Sequence, residues 1–406
     1  MTIRVAHIST SYRGGAAIAA QQIARVLQDG EVESTLISRD DLKVFHYGMI
    51  ERITRKLLGK IITRYQKLNS VPPFGIVTPI SISNLDVIKL IDSKFDIIHI
   101  HNWYNILSIN DLAELSAQIP IVFTFHDERL ITGGCHITLG CEKFSMGCTS
   151  CPAVYKNKVS IEKSKAELVN FFANSPNISI ISPSKWIIEQ IIRAGLDQNL
   201  RTLSHIPNFI SPEYFNPQIA FVDSDEPIKL LFVSADISTE VKGLSLLLKA
   251  LNHIVSEENS KLNPRIELHL VGDGQLPIES NPNLKIIFHG FQTQIVIREL
   301  MTKATFLVVP SLSENSPNVI AEAQLLGLPV IASNVAGIAE LIEDSISGFL
   351  TPLDPDLMAA VFSRAFSSKF LSVISSQAKV TAQIRYDAKS ISAAHLAVYR
   401  KALSRI

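Results

Sequence analysis

Pro310-Ser-Leu-Ser-Glu314-Asn-Ser-Pro-Asn-Val-Ile-Ala-Glu322-Ala, followed by Gly327-Leu-Pro329-Val-Ile-Ala-Ser333, is the stretch on which the reading of this chain turns. An apolar run from Thr305 to Val309 ends at Pro310, and a polar loop leads to a helix that Ser316 can cap, with Pro317 suited to its first turn. After Gly327 a second apolar run, Pro329 to Ala332, follows. Strand, loop, helix and strand in that order form the βαβ unit of a parallel sheet. The amides of Ser316, Pro317's neighbour Asn318, and Val319 then belong to a helix N-terminus, where backbone donors and the helix dipole favour an anion such as a diphosphate. Glu314 falls in the loop before that helix, and Glu322 lies about one and a half turns into it. The two carboxylates can therefore address different hydroxyls of one elongated ligand. A plainer account makes Glu314 a partner of the helix dipole and Glu322 a solvated face residue.

The same alternation runs outward through the chain. Short Ile- and Val-rich runs occur at Ile3 to Ile8, Ser34 to Ile37, Asp96 to Ile100, Pro120 to Thr124 and Ile178 to Ile181, with helical patterns between most of them. A polar stretch with two prolines, Ser211 to Pro227, interrupts the pattern as a linker. It resumes at Lys229 to Val233, Glu267 to Val271, Lys285 to His289, Thr305 to Val309 and Pro329 to Ala332. Beyond about Pro355 only helical composition remains. A chain of 406 residues, 47% of them hydrophobic, holds more than one core. The expectation is an α/β protein with two facing Rossmann-like domains, residues 1–215 and 225–385, that bind ligand at the carboxyl ends of their strands.

Lys plus Arg and Asp plus Glu balance at 38 each, and no basic stripe marks a nucleic-acid surface. The opening Met-Thr-Ile-Arg-Val-Ala-His-Ile reads as a strand and lacks the regions of a signal peptide, and no apolar run reaches the roughly 18 residues that span a bilayer. A cytoplasmic protein is expected. One local charge bias stands out: residues 51–67 carry Arg52, Arg55, Lys56, Lys60, Arg64 and Lys67 against Glu51, with Ile53, Leu57, Leu58, Ile61, Ile62 and Tyr65 at helical spacing. Such a helix either lies peripherally on the inner face of an anionic membrane or packs its apolar stripe on its own domain.

Three further features bear on chemistry. Gly14-Gly15 follows the first strand and opens an Ala-rich helix, which serves a close approach of ligand or a tight turn equally well. In the second half Gly272 ends a strand, and Lys242-Gly243 precedes the helix Leu244 to Leu251, so Lys242 can reach a diphosphate or remain an exposed lysine. All four cysteines, Cys135, Cys141, Cys148 and Cys151, fall in one 17-residue window inside the loop 132–152. Their spacing suits a tetrahedral thiolate site, and a structural Zn2+ is favoured over free thiols or a redox pair at Cys148 and Cys151.

The Glu314-x7-Glu322 pattern with its flanking P-S-x-x-E and E-A-x-x-x-G-x-P-V-I-A-S resembles glycosyltransferase family 4. The resemblance extends across nearly the whole chain, through Gly14-Gly15, His99-x-His101-Asn102, Thr124-Phe-His126-Asp127, Pro183-Ser-Lys-Trp, Ile206-Pro-Asn208, Lys242-Gly243, Gly272-Asp-Gly274 and Gly337-x-x-Glu340. It implies a GT-B fold, retaining transfer from a nucleotide-sugar donor, and a C-terminal helix, residues 386–406, that returns to the N-terminal domain. It also implies that Glu314 binds donor-sugar hydroxyls, Glu322 the ribose, and Lys242 the diphosphate. Gly15 would lie by the donor phosphates or acceptor and His126 near the donor sugar. No metal is then required for transfer. The cysteine loop resembles that of the exopolysaccharide and colanic acid subgroup, and a membrane-facing role for residues 51–67 would suit a saccharide acceptor carried on a lipid. A noncatalytic partner subunit or a nucleotide-sugar epimerase on the same fold is the alternative. The chain departs from its family at Phe232-Val-Ser-Ala-Asp236, where a basic residue is usual, and at Asn315-Ser-Pro, where glycine is common.

Overall fold

The computed structural model describes residues 2–10, 15–28, 31–38, 49–83, 86–215, 227–256, 265–274 and 283–404. Gly14 and most of the expected linker, residues 216–226, lie outside the described residues. The chain forms two compact units, Met1–Phe209 with Ala388–Ile406, and Ile210–Asp387.

Unit 1 contains β1 (Ile3–Ser9), α1 (Gly15–Leu27), β2 (Val32–Ser38), α2 (Met49–Asn69), α3 (Val87–Asp92), β3 (Ile97–Ile100), α4 (Ile109–Gln118), β4 (Ile121–Thr124), α5 (Lys158–Asn174), β5 (Ile178–Ser182), α6 (Lys185–Arg193) and β6 (Thr202–His205). Unit 2 contains β7 (Ile228–Asp236), α7 (Leu244–Ser256), β8 (Ile266–Asp273), β9 (Leu284–Gly290), α8 (Gln294–Lys303), β10 (Phe306–Val309), α9 (Asn318–Leu326), β11 (Val330–Ser333), β12 (Phe349–Thr351), α10 (Pro355–Phe366) and α11 (Leu371–Arg385). The last helix, α12 (Ala388–Leu403), joins unit 1. Each unit is built on a six-stranded parallel sheet, in the order β2-β1-β3-β4-β5-β6 and β12-β11-β10-β7-β8-β9.

Parallel strands covered on both faces read as nearly continuous apolar runs, and β3, β4, β5, β10 and β11 are buried throughout. Alternation assigns their side chains to opposite faces. In unit 1, Ala6, Ile8, Ile98, Ile100 and Phe123 pack with α4, α5 and α6, whereas Val5, Ile97 and Val122 pack with α1 and with Ile391, Val398 and Tyr399 of α12. In unit 2, Leu230, Phe232 and Ile331 face α7 and α10, and Leu231, Leu307 and Val330 face α8 and α9. The sequence reading misses β6 and β12. Both are edge strands, one polar and only partly buried, the other three residues long.

Two local expectations change. Helix α9 begins at Asn318, with Pro317 (φ −70°, ψ 117°) in the cap position and no side-chain cap. The expected cap at Ser316 moves on by one residue because Pro317 itself is extended rather than helical, and its ring offers no side-chain acceptor. Helix α7 continues to Ser256, past the expected Leu251, because Ile254 and Val255 keep the apolar period and are buried.

Candidate functional site

In unit 2 the site grows from a close approach of two loops. Gly243 has φ +74°, and a Cβ there would stand 1.9 Å from the carbonyl oxygen of Pro310. Only glycine allows the turn Glu240–Lys242 to press on the strand end at this point. The main chain locks the contact, Leu312 N–H donating to Val241 O at 2.8 Å. Lys242 Nζ consequently donates to Glu314 Oε1 in an ion pair, and Ser311 Oγ lies 3.5 Å from the same oxygen. The Glu314 carbonyl accepts from Gly337 N–H at 3.0 Å, which ties the Glu314 loop to the segment after β11.

Ser316, Pro317, Asn318 and Val319 at the start of α9 are partly exposed, and everything from Ile320 to Leu326 is buried. Glu322 is thus buried rather than solvated. Loss of hydration pushes its carboxyl up to about 7, opposed by a hydrogen bond from the Tyr214 hydroxyl. The hydroxyl of Tyr214, which sequence reasoning did not single out, is also 2.8 Å from Gln294 Oε1, so its single proton serves one of the two acceptors at a time. Gly272 has φ +143°, and a Cβ there would meet Ser234 O at 2.2 Å, so packing against β7 already accounts for its glycine. At the position where the family carries a basic residue, Asp236 Oδ1 accepts from Ser238 N–H at 2.8 Å. Arg298 is engaged with Glu213, 3.2 Å from its carbonyl oxygen and 3.6 Å from its carboxylate.

In unit 1 Gly15 is the first residue of α1, and nothing lies within 4 Å of a Cβ built on it. Packing does not demand glycine there. His126 follows β4 and is partly exposed, and behind it lies an array of imidazoles that the sequence shows only as separate histidines. His7 and His99 are direct partners in the β1/β3 register and share the sheet face covered by α12. His126 Nε2 is 3.1 Å from His101 Nδ1, His101 Nε2 is 3.1 Å from His7 Nδ1, and His7 Nε2 is 3.3 Å from Ser34 Oγ. His99 is held separately, 2.7 Å from both the Tyr399 hydroxyl and Thr124 Oγ1. Burial lowers the pKa of His126 to about 4 and of His7 to about 3, and holds His99 and His101 well below the ordinary range.

Each neutral imidazole carries one N–H, so the chain from Ser34 to His126 runs either wholly in one direction or wholly in the other. The protonation of His126 Nδ1 is therefore coupled to that of the buried His101 and His7 and of the partly buried Ser34. Ring nitrogens of His7, His99 and His101 also approach one another within 4.8 Å, as metal ligands would. All six of their nitrogens already have hydrogen-bonding partners, and that pairing accounts for their proximity.

Cys135, Cys148 and Cys151 are buried and Cys141 partly so, and all four line a cavity of about 20 Å3 together with Phe74 and Phe144. Positive φ values at Gly147 (81°), Cys148 (58°) and Ser150 (51°) curl the Cys148-x-x-Cys151 turn. Gly133 N–H donates to Cys148 Sγ at 3.2 Å, and the Ala153 amide donates to Cys151. A shared hydrogen bond with Cys135 lowers the Cys151 thiol to about 6 and raises that of Cys135. The loop is anchored from outside by Glu128, whose carboxylate accepts from both Thr138 N–H and Thr138 Oγ1 at 2.7 Å. Among the described residues only the histidine group meets a mutual spacing of 4.8 Å in threes, so no three of the four sulfurs lie that close together.

The profile described as Glycosyltransferase Family 4 matches residues 13–214, and that described as Glycosyl transferases group 1 matches residues 227–368. The chain belongs to this glycosyltransferase family. Among relatives of this glycosyltransferase, an uncharacterized glycosyltransferase of Methanocaldococcus jannaschii is 26% identical over 76% of each chain. The amylovoran biosynthesis glycosyltransferase AmsK of Erwinia amylovora is 29% identical over 38% of this chain and 40% of its own. The UDP-Gal:alpha-D-GlcNAc-diphosphoundecaprenol alpha-1,3-galactosyltransferase of Escherichia coli is 31% identical over 43% and 47%. Anabaena HepE, solved in complex with UDP and glucose, superposes with a TM-score of 0.62 at 19% identity, covering 97% of this chain and 98% of that one. That likeness shows the fold, GT-B. As a family member the protein is an enzyme of the hexosyltransferase type.

Proposed function

We propose that this glycosyltransferase moves a hexose from a nucleoside-diphosphate sugar to a lipid-linked saccharide acceptor, with retention of anomeric configuration, in polysaccharide biosynthesis. The observation that carries the reading is the Lys242–Glu314 ion pair beside the partly exposed start of α9. Lys242 and the amides of Asn318 and Val319 supply fixed positive potential where charge develops on the departing diphosphate. Glu314, oriented by Lys242, binds hydroxyls of the transferred sugar, and Glu322, whose carboxyl burial raises to about 7, meets the ribose. The bond from the anomeric carbon to the leaving phosphate oxygen breaks as one to the acceptor oxygen forms on the same face. The acceptor's proton passes to that phosphate oxygen. Two relatives support the choice of substrates: the E. coli enzyme is named for a UDP-sugar donor and a diphosphoundecaprenol-linked acceptor, and HepE was captured with UDP and glucose.

Incubation with a panel of UDP- and GDP-hexoses tests the proposal. At least one should raise the melting temperature and be hydrolysed slowly, and Glu314→Ala should cut that turnover about 100-fold. Recovery of an epimerised donor, or no protection by any sugar nucleotide, overturns it and favours the epimerase or noncatalytic readings.

Two finer readings accompany this. The thiol cavity has room for a single water-sized occupant, and amide donors face two of its sulfurs. These features support a structural Zn2+ held by Cys135, Cys141, Cys148 and Cys151, which would draw the sulfurs together and stabilise the loop. Protein purified without chelator should carry about one zinc per chain; a metal-free preparation with four titratable thiols refutes the site. Helix α2 is read as a peripheral contact with an anionic membrane, where a lipid-linked acceptor would be met. No single helix among the described residues is long and apolar enough to cross a bilayer.

A further inference from the structure

We propose that Ser34, His7 and His101 are positioning residues that fix which ring proton His126 carries, so that His126 meets substrate as an N–H donor through Nδ1 and not as an acceptor there. The proposal rests on the transferase reading and adds to it a device that sets the hydrogen-bonding sense of one group. The four side chains come from four strands that are neighbours in the sheet, in the order β2-β1-β3-β4. Ser34 is on β2 and His7 on β1, His101 is the first residue after β3, and His126 is the second after β4. The chain of hydrogen bonds therefore starts at the edge strand and comes out beyond the carboxyl ends of β3 and β4. Open parallel sheets bind their ligands at that edge.

The two ends of the chain choose its direction. Each inner link joins two ring nitrogens and can run either way. At the β2 end, His7 Nε2 is the one partner of Ser34 Oγ among the described residues. If Ser34 donates, its proton is used, and His7 Nδ1–H then donates to His101 Nε2 and His101 Nδ1–H to His126 Nε2. Run the other way, the chain leaves the Ser34 proton with no acceptor among the described residues. At the far end His126 is partly exposed, and its Nδ1 has no partner among the described residues. Order propagated from Ser34 therefore leaves a proton on that nitrogen, free for a ligand oxygen. Burial keeps one proton on each of the three rings near neutral pH, and Asp127 is the charge beside His126 that opposes it. A fixed N–H at this point accepts a hydroxyl, ether or carbonyl oxygen and repels the ammonium of an amino sugar.

Nitrogen-15 NMR of protein labelled in histidine reads each ring directly, because protonated and bare ring nitrogens resonate far apart. The chain has 11 histidines, and the signals of His126 are those lost in His126→Asn. At neutral pH wild-type His126 should show a protonated Nδ1 and a bare Nε2. Ser34→Ala removes the hydroxyl that starts the chain, two rings away from His126, and should turn His126 into a mixture of tautomers. Ser34→Thr keeps a hydroxyl and should restore the single form. Hydrolysis of the UDP- or GDP-hexose that protects the protein should follow the spectra: kcat/KM about two- to tenfold lower in Ser34→Ala, the change in population that one hydrogen bond controls, and near wild type in Ser34→Thr. Unchanged melting temperatures show that both variants fold. A bare Nδ1 in the wild type, or a His126 spectrum unmoved by Ser34→Ala, overturns the proposal, and so does a tautomer that changes while kcat/KM does not. If no sugar nucleotide protects the protein or is turned over, the donor reading fails, and the spectra of the unliganded protein still decide the direction of the chain.

Discussion

Gly243 joins a backbone requirement to a chemical one. Its φ of +74° and the 1.9 Å approach of Pro310 O to a would-be Cβ mean that any side chain must push the lysine turn away from the Glu314 loop. Gly243→Ala should cost about 2 kcal/mol or more of stability, and it should lower donor affinity at temperatures where the protein is still folded. Calorimetry with and without UDP-hexose checks both effects; an unchanged melting temperature would show that the turn has room after all. The strand end and helix start that carry Glu314 and Glu322 were legible in the sequence, because they are local events. Pairing of Lys242 with Glu314 was not legible, since 72 residues separate them and only the sheet brings them together. For the same reason His7 went unnoticed. Its neighbours in the sheet, not those in the sequence, make it part of a chain leading to His126.

Helix α2 shows an element obeying two periods at once. Arg55, Gly59, Ile62 and Gln66 face inward at helical spacing, with Arg55 donating to Ser83 O at 3.0 Å and Gln66 to Ile80 O at 3.1 Å. Ile53, Leu57, Leu58, Ile61, Tyr65 and Leu68 are turned outward instead, with Ile61 66% and Leu68 73% exposed. The apolar stripe therefore does not pack on the domain that carries it, contrary to one of the two readings of residues 51–67. Bracketed by Lys56, Lys60, Arg64 and Lys67, it matches an anionic bilayer surface. Cosedimentation with vesicles containing phosphatidylglycerol should exceed that with phosphatidylcholine alone and fall as salt rises, and Ile61→Glu with Leu68→Glu should abolish it. Binding indifferent to lipid charge and salt would refute the contact. Strand runs in the buried middle of each sheet were readable because both faces are covered and every residue is apolar. The edge strands β6 and β12 escaped because they keep only part of that pattern.

For the molecule as a whole, buried titratable groups set the response to acid. Burial holds His7 at about 3 and His126 and His395 at about 4, with His99 and His101 also lowered. In the unfolded chain all five take up protons near 6.5. Their contribution is present above pH 6.5 and is lost as pH falls toward their folded values. Glu322 and Glu128, raised by burial to about 7, work the other way, contributing most below about 4.5 and losing it as pH rises through 7. Five groups outweigh two between pH 4.5 and 6.5, so the melting temperature should fall on acidification through that window; a rise there would contradict the burial of the histidines. Tyr399 takes part in this, since its hydroxyl holds His99 from α12. That helix is separated in the chain from the rest of unit 1 by the whole of unit 2. During synthesis from the N-terminus, the first sheet must emerge with only α1 against Val5, Ile97 and Val122 and wait for α12 while about 180 residues of unit 2 are made. Unit 2, continuous in the chain, can fold in the meantime, so of the two units the one that begins to emerge first is the last to be finished.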